Sequence, residues 1–320
     1  MDEFELIERY FRPLSENGRG VNTAIGDDAA ILNIDSKEQL VVTTDTQIES
    51  VHFPGGADPE RVGFRSCATS LSDIAAMGAT ARWASLALTV SSAESSWLAG
   101  FSKGAAAALE QSGASLVGGD TTRGPLVITW SIIGTVPVGE ALLRNGAQVG
   151  EGIYVSGTLG SAAAALEMSL VGECACSEAE AELRNRYWYP RPRIALATEL
   201  RPVLSSCIDI SDGLIADSLH LARSSHCGIS LNGDRVPIAP AVVQLLGYER
   251  ARQLALTGGD DYELCFTVPV EREAELWTIT RELDVDVIRI GTIVEGSQLQ
   301  VIDDQGRILE MDRVGYRHFE

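Results

Sequence analysis

Aspartates recur in this sequence in one kind of setting, beside glycine and hydroxyl residues: Asp27 and Asp28 in "IGDDAAIL", Asp45 in "TTDT", Asp73 in "SLSD", Asp120 in "GGDTT", Asp209 and Asp212 in "DISDG", Asp260 and Asp261 in "GGDD". Taken singly, each reads as a turn or helix-cap carboxylate. Taken as a set, they are hard oxygen donors whose small neighbours leave room for a divalent cation and its waters. Where such acids converge, their mutual repulsion demands cations, and Mg²⁺ ions there can bridge the phosphates of a nucleoside triphosphate. The chemistry this points to is phosphoryl transfer. In it the protein positions two phosphate groups while metal screens their charge, and no side-chain nucleophile is required, so no catalytic nucleophile is expected.

The commoner ways of holding phosphate are absent. Only two lysines occur, Lys37 and Lys103, and neither follows a glycine-rich loop. A Walker loop G-x-x-x-x-G-K-S/T and the protein-kinase signatures are both missing, so phosphate must be neutralised by arginine or metal. The "SGTLGS" stretch at residues 156–161 is open to two readings, a backbone cradle for phosphate or a tight strand-to-helix turn. A formal net charge of -20 argues against nucleic acid or an anionic membrane as the main partner. The six cysteines (Cys67, Cys174, Cys176, Cys207, Cys227, Cys265) lack C-x-x-C spacing and nearby histidines, which suggests reduced thiols of a cytosolic protein rather than a zinc site.

The elements that must position the acids are partly legible. "MDEFELIERYFRPL" is acidic and helical in pattern, with Phe4, Ile7 and Phe11 on one side, unlike a signal peptide. No apolar run reaches membrane-spanning length. "AAILNI" and "QLVVTTDT" read as short strands, placing Asp45 at a strand end. From Asp58, the recurrence of Phe64, Cys67, Ala68, Leu71, Ile74 and Ala75 predicts a helix that stops at Gly78, with Asp73 opposite its apolar stripe. "SWLAGFSKGAAAALEQSG" predicts a further helix, and "WASLALTV" and "PLVITWSIIGTV" predict strands.

A chain of 320 residues favours two domains. The glycine-rich, weakly periodic stretch after Pro137 predicts a first domain over 1–138, a linker over 139–152 and a second domain over 153–320. The second half reads as a strand, glycine turn and alanine-rich helix ("GIYVSGTLGSAAAALEM"), then a strand running into a helix ("SSCIDISDGLIADSLHLARSS"), then a turn and strand ("LTGGDDYELCFTVP"). Strict βα alternation is missing, which predicts an α+β architecture over a doubly wound sheet.

Six stretches, "IGDDAAIL", "TTDTQIESVHF", "SLSDIAAMGA", "GGDTTRGPL", "DISDGLIADSL" and "GGDDYELCF", occur in the order and approximate spacing of the thiamine-monophosphate kinases. The resemblance runs from the first helix to the "GYRHF" tail, and places the chain in the wider group of aminoimidazole ribonucleotide synthetase-like ATP enzymes. It implies phosphorylation of thiamine monophosphate by ATP to give thiamine diphosphate and ADP, the final step of thiamine diphosphate biosynthesis. It also implies a homodimer of two-domain α+β subunits whose N-terminal sheets join, several Mg²⁺ ions, and an open question of a monovalent cation.

By the same resemblance, Asp28, Thr43, Thr44, Asp45, Asp73 and Asp120 hold magnesium in the N-terminal domain, with Asp209 or Asp212 adding carboxylates from the C-terminal one. Gly119, Asp120, Arg144 and Ser211 lie on ATP; the fixed fork of Arg144 suits phosphate oxygens where lysine is scarce. His52, Asp260 and Tyr316 are implied on the substrate side, where a carboxylate suits cationic thiamine and a phenol ring suits stacking. Asp27 is left as a turn former. The family often has Gly-Gly-Glu-Asp where this chain has "GGDD", so the carboxylate at Asp260 is one methylene shorter. Two rivals remain: another ATP-dependent ligase of the wider group, and a non-catalytic divalent-metal binder, for which no EF-hand loop is present.

Overall fold

The structure, a computed structural model, describes residues 3–15, 18–169, 171, 177–311 and 314–316; Cys174, Cys176 and the tail residues Arg317, His318 and Phe319 lie outside these. It divides into a first unit of Met1–Ile74 with Ala79–Gly139 and a second of Ala75–Gly78 with Glu140–Glu320. Of the stretch expected to be a linker, Gly139 closes the first unit and residues 140–152 are built into the second. Leu142 and Ala147 are buried in its two apolar cores, and its first strand begins at Gly152. Two well-placed apolar residues anchor a segment whose glycine content alone suggests a tether.

In the first unit, helix α1 (Glu3–Leu6) continues as a π turn and a 3₁₀ turn through Ser15. Leu6, Tyr10 and Phe11 are buried, whereas Ile7 is half-buried; the side chain of Phe4 lies outside the described ones. The short antiparallel pair β1 (Val21–Thr23) and β2 (Ile31–Leu32) encloses the Gly26–Asp28 turn. There follow β3 (Glu38–Ile48), α2 (Pro59–Ala76), β4 (Thr80–Val90), α3 (Ser95–Ser112), β5 (Ser115–Arg123) and β6 (Val127–Pro137). Asp45 thus falls inside a long strand and not at its end.

The sheet order is β3-β6-β4-β5, antiparallel except for β4 with β5, whose parallel pairing is made possible by the α3 crossover. Helices α2 and α3 touch backbone to backbone. A Cβ added to Gly63 would meet the Phe101 carbonyl oxygen at 2.1 Å, and one on Gly104 would meet that of Glu60 at 1.8 Å. Ile128, Trp130 and Ile132 of β6 are fully buried, while alternate residues of β3 on the other face, Val42 and Thr44 among them, are exposed.

The second unit is built from β7 (Gly152–Ser156), α4 (Ser161–Glu167), α5 (Glu178–Trp188), α6 (Ile194–Leu200), β8 (Ser206–Asp209), α7 (Leu214–Ser225) and β9 (Gly228–Asn232). After these come α8 (Pro240–Leu246), α9 (Tyr248–Thr257), β10 (Leu264–Val268), α10 (Glu273–Glu282), β11 (Val287–Val294) and β12 (Leu299–Ile302). Its sheet runs β12-β9-β11-β7-β10-β8, antiparallel save for β12 with β9. Both faces are covered. Ile153, Val155 and Cys265 join a core with Leu214 and Leu221 of α7, whereas Tyr154, Phe266 and Val268 join one with Leu196, Leu200 and Leu276. That is why "GIYVS" and "LCFTV" read as unbroken apolar runs. The architecture is α+β in each unit.

Candidate functional site

Strand alternation sorts the "TTDTQ" run of β3 into two faces. Thr43, Asp45 and Gln47 look toward α2: the Thr43 hydroxyl donates to Asp73 Oδ2 at 2.5 Å, and Gln47 Nε2 donates to Thr69 Oγ1 at 2.6 Å. Thr44 and Thr46 look the other way, paired with Ser131 and Thr129 of β6 at 2.9 Å each. Thr44 is therefore the one residue of the expected magnesium set on β3 whose hydroxyl is not brought to the carboxylates.

Burial, then the neighbouring Asp73 charge, push the Asp45 carboxyl up to about 6, against a hydrogen bond from Ser70 that lowers it. Two acids thus share a half-buried site next to hydroxyls. Among the described residues no three His, Cys, Asp or Glu side chains form a metal-holding cluster. The donor set is nevertheless oxygen only, and Mg²⁺ is commonly held by one or two carboxylates completed by substrate phosphates and water. The Asp45–Asp73 pair fits that pattern, and the raised affinity of Asp45 for a proton comes first from its burial and then from the neighbouring Asp73 charge, which a bound cation would offset.

A cleft of about 820 Å³ lies in the same unit, lined by Arg12, Asp27, Asp28, Gly119 and Asp120. Asp27 Oδ1 accepts the Asp28 N–H at 2.9 Å and so shapes the turn, while the Asp28 side chain is exposed. Arg12 Nη1 donates to the Ile25 carbonyl at 2.6 Å and ties the turn to the N-terminal segment. Gly119 has φ +154, and a Cβ there would lie 1.9 Å from the Leu86 carbonyl oxygen. Only glycine permits β5 to approach β4 this closely, which fixes the exposed Asp120 at the cleft wall. His52 sits in the turn after β3, where its Nδ1 accepts the Ile48 N–H at 3.0 Å, an arrangement that puts the neutral ring's proton on Nε2.

In the second unit, three separate stretches expected at the site are laced together by main chain. Asp260 N–H donates to the Ser211 carbonyl (2.8 Å), Tyr262 N–H to that of Ile210 (2.8 Å), and Tyr316 N–H to that of Asp212 (3.0 Å). Ser211, Asp212, Asp260 and Tyr316 are thereby gathered on one set of loops, directly after Asp209 at the end of β8. Asp260 and Tyr262 adopt left-handed backbone conformations (φ +71 and +51), strained for residues with side chains, and the Tyr262 hydroxyl donates to Asp260 Oδ1 at 2.9 Å. The strain is held by anchors on either side. Asp261 accepts the Gly160 N–H, and Glu263 accepts from the Ser156 hydroxyl and bidentately from Arg193, all three of these at 2.6 Å. Burial holds the Asp261 carboxyl well above the usual range, opposed by the Gly160 amide. Arg144 lies in an exposed loop, its carbonyl accepting from Ser225.

The "SGTLGS" loop resolves toward a tight turn. Its amides at Gly157, Leu159 and Gly160 are already taken by Asp286, Pro237 and Asp261. Sequence reasoning missed Asp217, Tyr262 and the Glu263–Arg193 pair. For Asp217 the signal was present: an acid in the first turn of α7, close behind "DISDG", is placed to accept loop amides.

Known proteins match this chain over nearly its full length. The family model described as AIR synthase related protein, N-terminal domain, matches residues 26–136, and the corresponding C-terminal domain matches 148–304. A thiamine-monophosphate kinase of Salmonella typhimurium is 41% identical over 99% of this chain and 98% of its own. A crystal structure of thiamine-monophosphate kinase from Stenotrophomonas maltophilia superposes with a TM-score of 0.89 at 40% identity, covering 97% of this chain and 98% of the other. A protein named AaThiL, solved as a complex with AMPPCP and TMP, superposes with a TM-score of 0.79 at 31% identity over 92% of both chains.

Proposed function

We propose that this chain, which belongs to the thiamine-monophosphate kinase family of AIR synthase related proteins, transfers the γ-phosphoryl group of ATP to thiamine monophosphate. A phosphate oxygen of the acceptor forms the new bond to the γ-phosphorus as the bond to the β,γ-bridging oxygen breaks, giving thiamine diphosphate and ADP. The carrying observation is the kinship along the whole chain with kinases of this name, one related structure holding AMPPCP together with TMP.

The roles of individual residues are those the family resemblance implies. Asp45 and Asp73, with Thr43 beside them, and Asp28 and Asp120 at the cleft are the magnesium ligands, and Gly119 lets the backbone approach the nucleotide. Bound Mg²⁺ would supply charge screening between the acceptor dianion and the triphosphate. Arg144 and Ser211 serve ATP, and Asp209 and Asp212 are further magnesium ligands. Asp260 meets cationic thiamine, while His52 and Tyr316 hold the acceptor. The acceptor phosphate is already largely deprotonated near neutral pH, so no side chain need remove its proton. A monovalent cation belongs to the same reading as an optional aid.

A homodimer completes the proposal. Edge strand β3 is eleven residues long and presents Leu40, Val42 and Ile48 exposed, an unprotected edge and apolar face that a second copy's sheet would cover. A single-chain mass in sedimentation equilibrium would overturn it. The four described cysteines are buried free thiols, which supports a cytosolic site of action, and fractionation of cells checks it. Among the described residues no helix is long and apolar enough to cross a membrane.

The deciding experiment incubates purified protein with ATP and Mg²⁺, with and without thiamine monophosphate, and measures both products by chromatography. ADP and thiamine diphosphate in a one-to-one ratio, only with acceptor, is expected. ADP without thiamine diphosphate would transfer the chain to another acceptor, and no ADP at all would defeat the kinase reading.

A further inference from the structure

Asp217 is 3% exposed and stands in the first turn of α7. Its Oδ2 accepts three successive backbone N–H groups, those of Ser211, Asp212 and Gly213, at 3.1 Å each. A buried carboxylate wrapped by three amides fixes the orientation of each peptide in the loop. The Ser211 and Asp212 carbonyls, which share their peptides with the Asp212 and Gly213 amides, point away from Asp217 as a result and are the acceptors for Asp260 N–H and Tyr316 N–H. Three glycines keep the assembly tight. A Cβ on Gly213 would meet the Thr257 carbonyl oxygen at 2.8 Å, one on Gly259 that of Ser211 at 2.4 Å, and one on Gly315 that of Asp212 at 2.8 Å.

The geometry points to Asp217 as a positioning residue: by holding the amide side of the 211–213 loop, we propose, it sets the register between the nucleotide-side residues on that loop and the acceptor-side residues Asp260 and Tyr316. The inference rests on the kinase reading for the meaning of those two sides. It explains why an acid is tolerated in a core beside Leu214, Ile215 and Leu221. An apolar residue of similar size would leave three amides unsatisfied and the loop unoriented.

The test compares wild type with Asp217→Ala, Asp217→Asn and Asp217→Glu in the full-length protein. Steady-state kinetics are run against both substrates, and ligand-free thermal unfolding is recorded in parallel. Asp217→Ala is expected to lower kcat and to raise the KM for both Mg·ATP and thiamine monophosphate, each by about tenfold or more, because both sets of residues lose register. Asp217→Asn keeps an acceptor oxygen and should recover most of both KM values. A purely structural role predicts a lower melting temperature with kinetics of the folded fraction unchanged, so a folded Asp217→Ala with kcat and both KM values within about twofold of wild type refutes the proposal. If Asp217→Ala does not fold, Asp217→Glu decides, since its oxygen is displaced by one methylene while its charge stays; wild-type kinetics there refute the proposal equally. A wild type that makes no thiamine diphosphate would refute the kinase reading itself, a different result from unaltered variants of an active enzyme.

Discussion

Both units hold acids that share sites with hydroxyls or backbone amides, yet the acids are bound in opposite ways. In the second unit Asp217 has three amides, Asp261 has the Gly160 amide, and Glu263 has a serine hydroxyl and a bidentate arginine. In the first, Asp45 faces Asp73 in a half-buried site beside the Ser70 and Thr43 hydroxyls, and among the described residues no basic side chain forms an ion pair with either. The difference separates two uses of a carboxylate. The second unit spends its buried acids on shaping loops, whereas the first keeps a charge deficit that an external cation can fill.

The largest effect should come from filling that deficit differently. Asp45→Asn removes a charge and a metal-competent oxygen, and is expected to lower Mg²⁺-dependent turnover by about 10³-fold, measured as thiamine diphosphate formed per enzyme at saturating ATP. Ordinary Mg²⁺ dependence and turnover in that variant would erase the contrast. Next in size is Glu263→Gln, which leaves Arg193 buried without its charged partner and is expected to cost about 3–5 kcal/mol of folding stability, read from urea unfolding. An unchanged midpoint would show that the second unit's acids are not structural.

A smaller, pH-dependent effect distinguishes the two uses within one residue. The Asp45 carboxyl sits at about 6 in the folded protein against 3.8 for the ordinary group. The folded state therefore binds the proton more tightly: the penalty is absent below about pH 4, grows as pH rises through 6, and is complete above it. In metal-free protein, Asp45→Asn should accordingly gain up to about 3 kcal/mol of stability at pH 8 and nothing at pH 4, as calorimetry at the two pH values will show. A gain equal at both would assign the effect to packing. Smallest of all, Thr44→Ala loses an exposed hydroxyl pair on the face away from Asp45 and should change stability by under about 1 kcal/mol. A loss of activity comparable to that of Asp45→Asn would put Thr44 back among the metal ligands through its side chain.

How much was legible varies with the distance over which each fact is decided. The helix of "FRSCATSLSDIAA" and the strand of "PLVITWSIIGTV" declare themselves by period, because side-chain direction repeats within a few residues. The close approach of β5 to β4 at Gly119 was not read from "GGDT", because it depends on which strand lies alongside. The segment at 139–152 misled, because its anchoring depends on two residues finding cores made by strands far along the chain.

By itself, then, the sequence determined the acid-rich phosphate chemistry, the α+β class and the family, because those rest on residue types, short-range periodicity and motif order. Only the tertiary structure decided that Thr43 and not Thr44 meets Asp73, that Asp45 is crowded and half-buried, and that Asp217 orients the loop beneath Asp260 and Tyr316. Those facts depend on register between strands and on backbone groups paired across tens of residues, and a linear sequence does not encode such pairings locally.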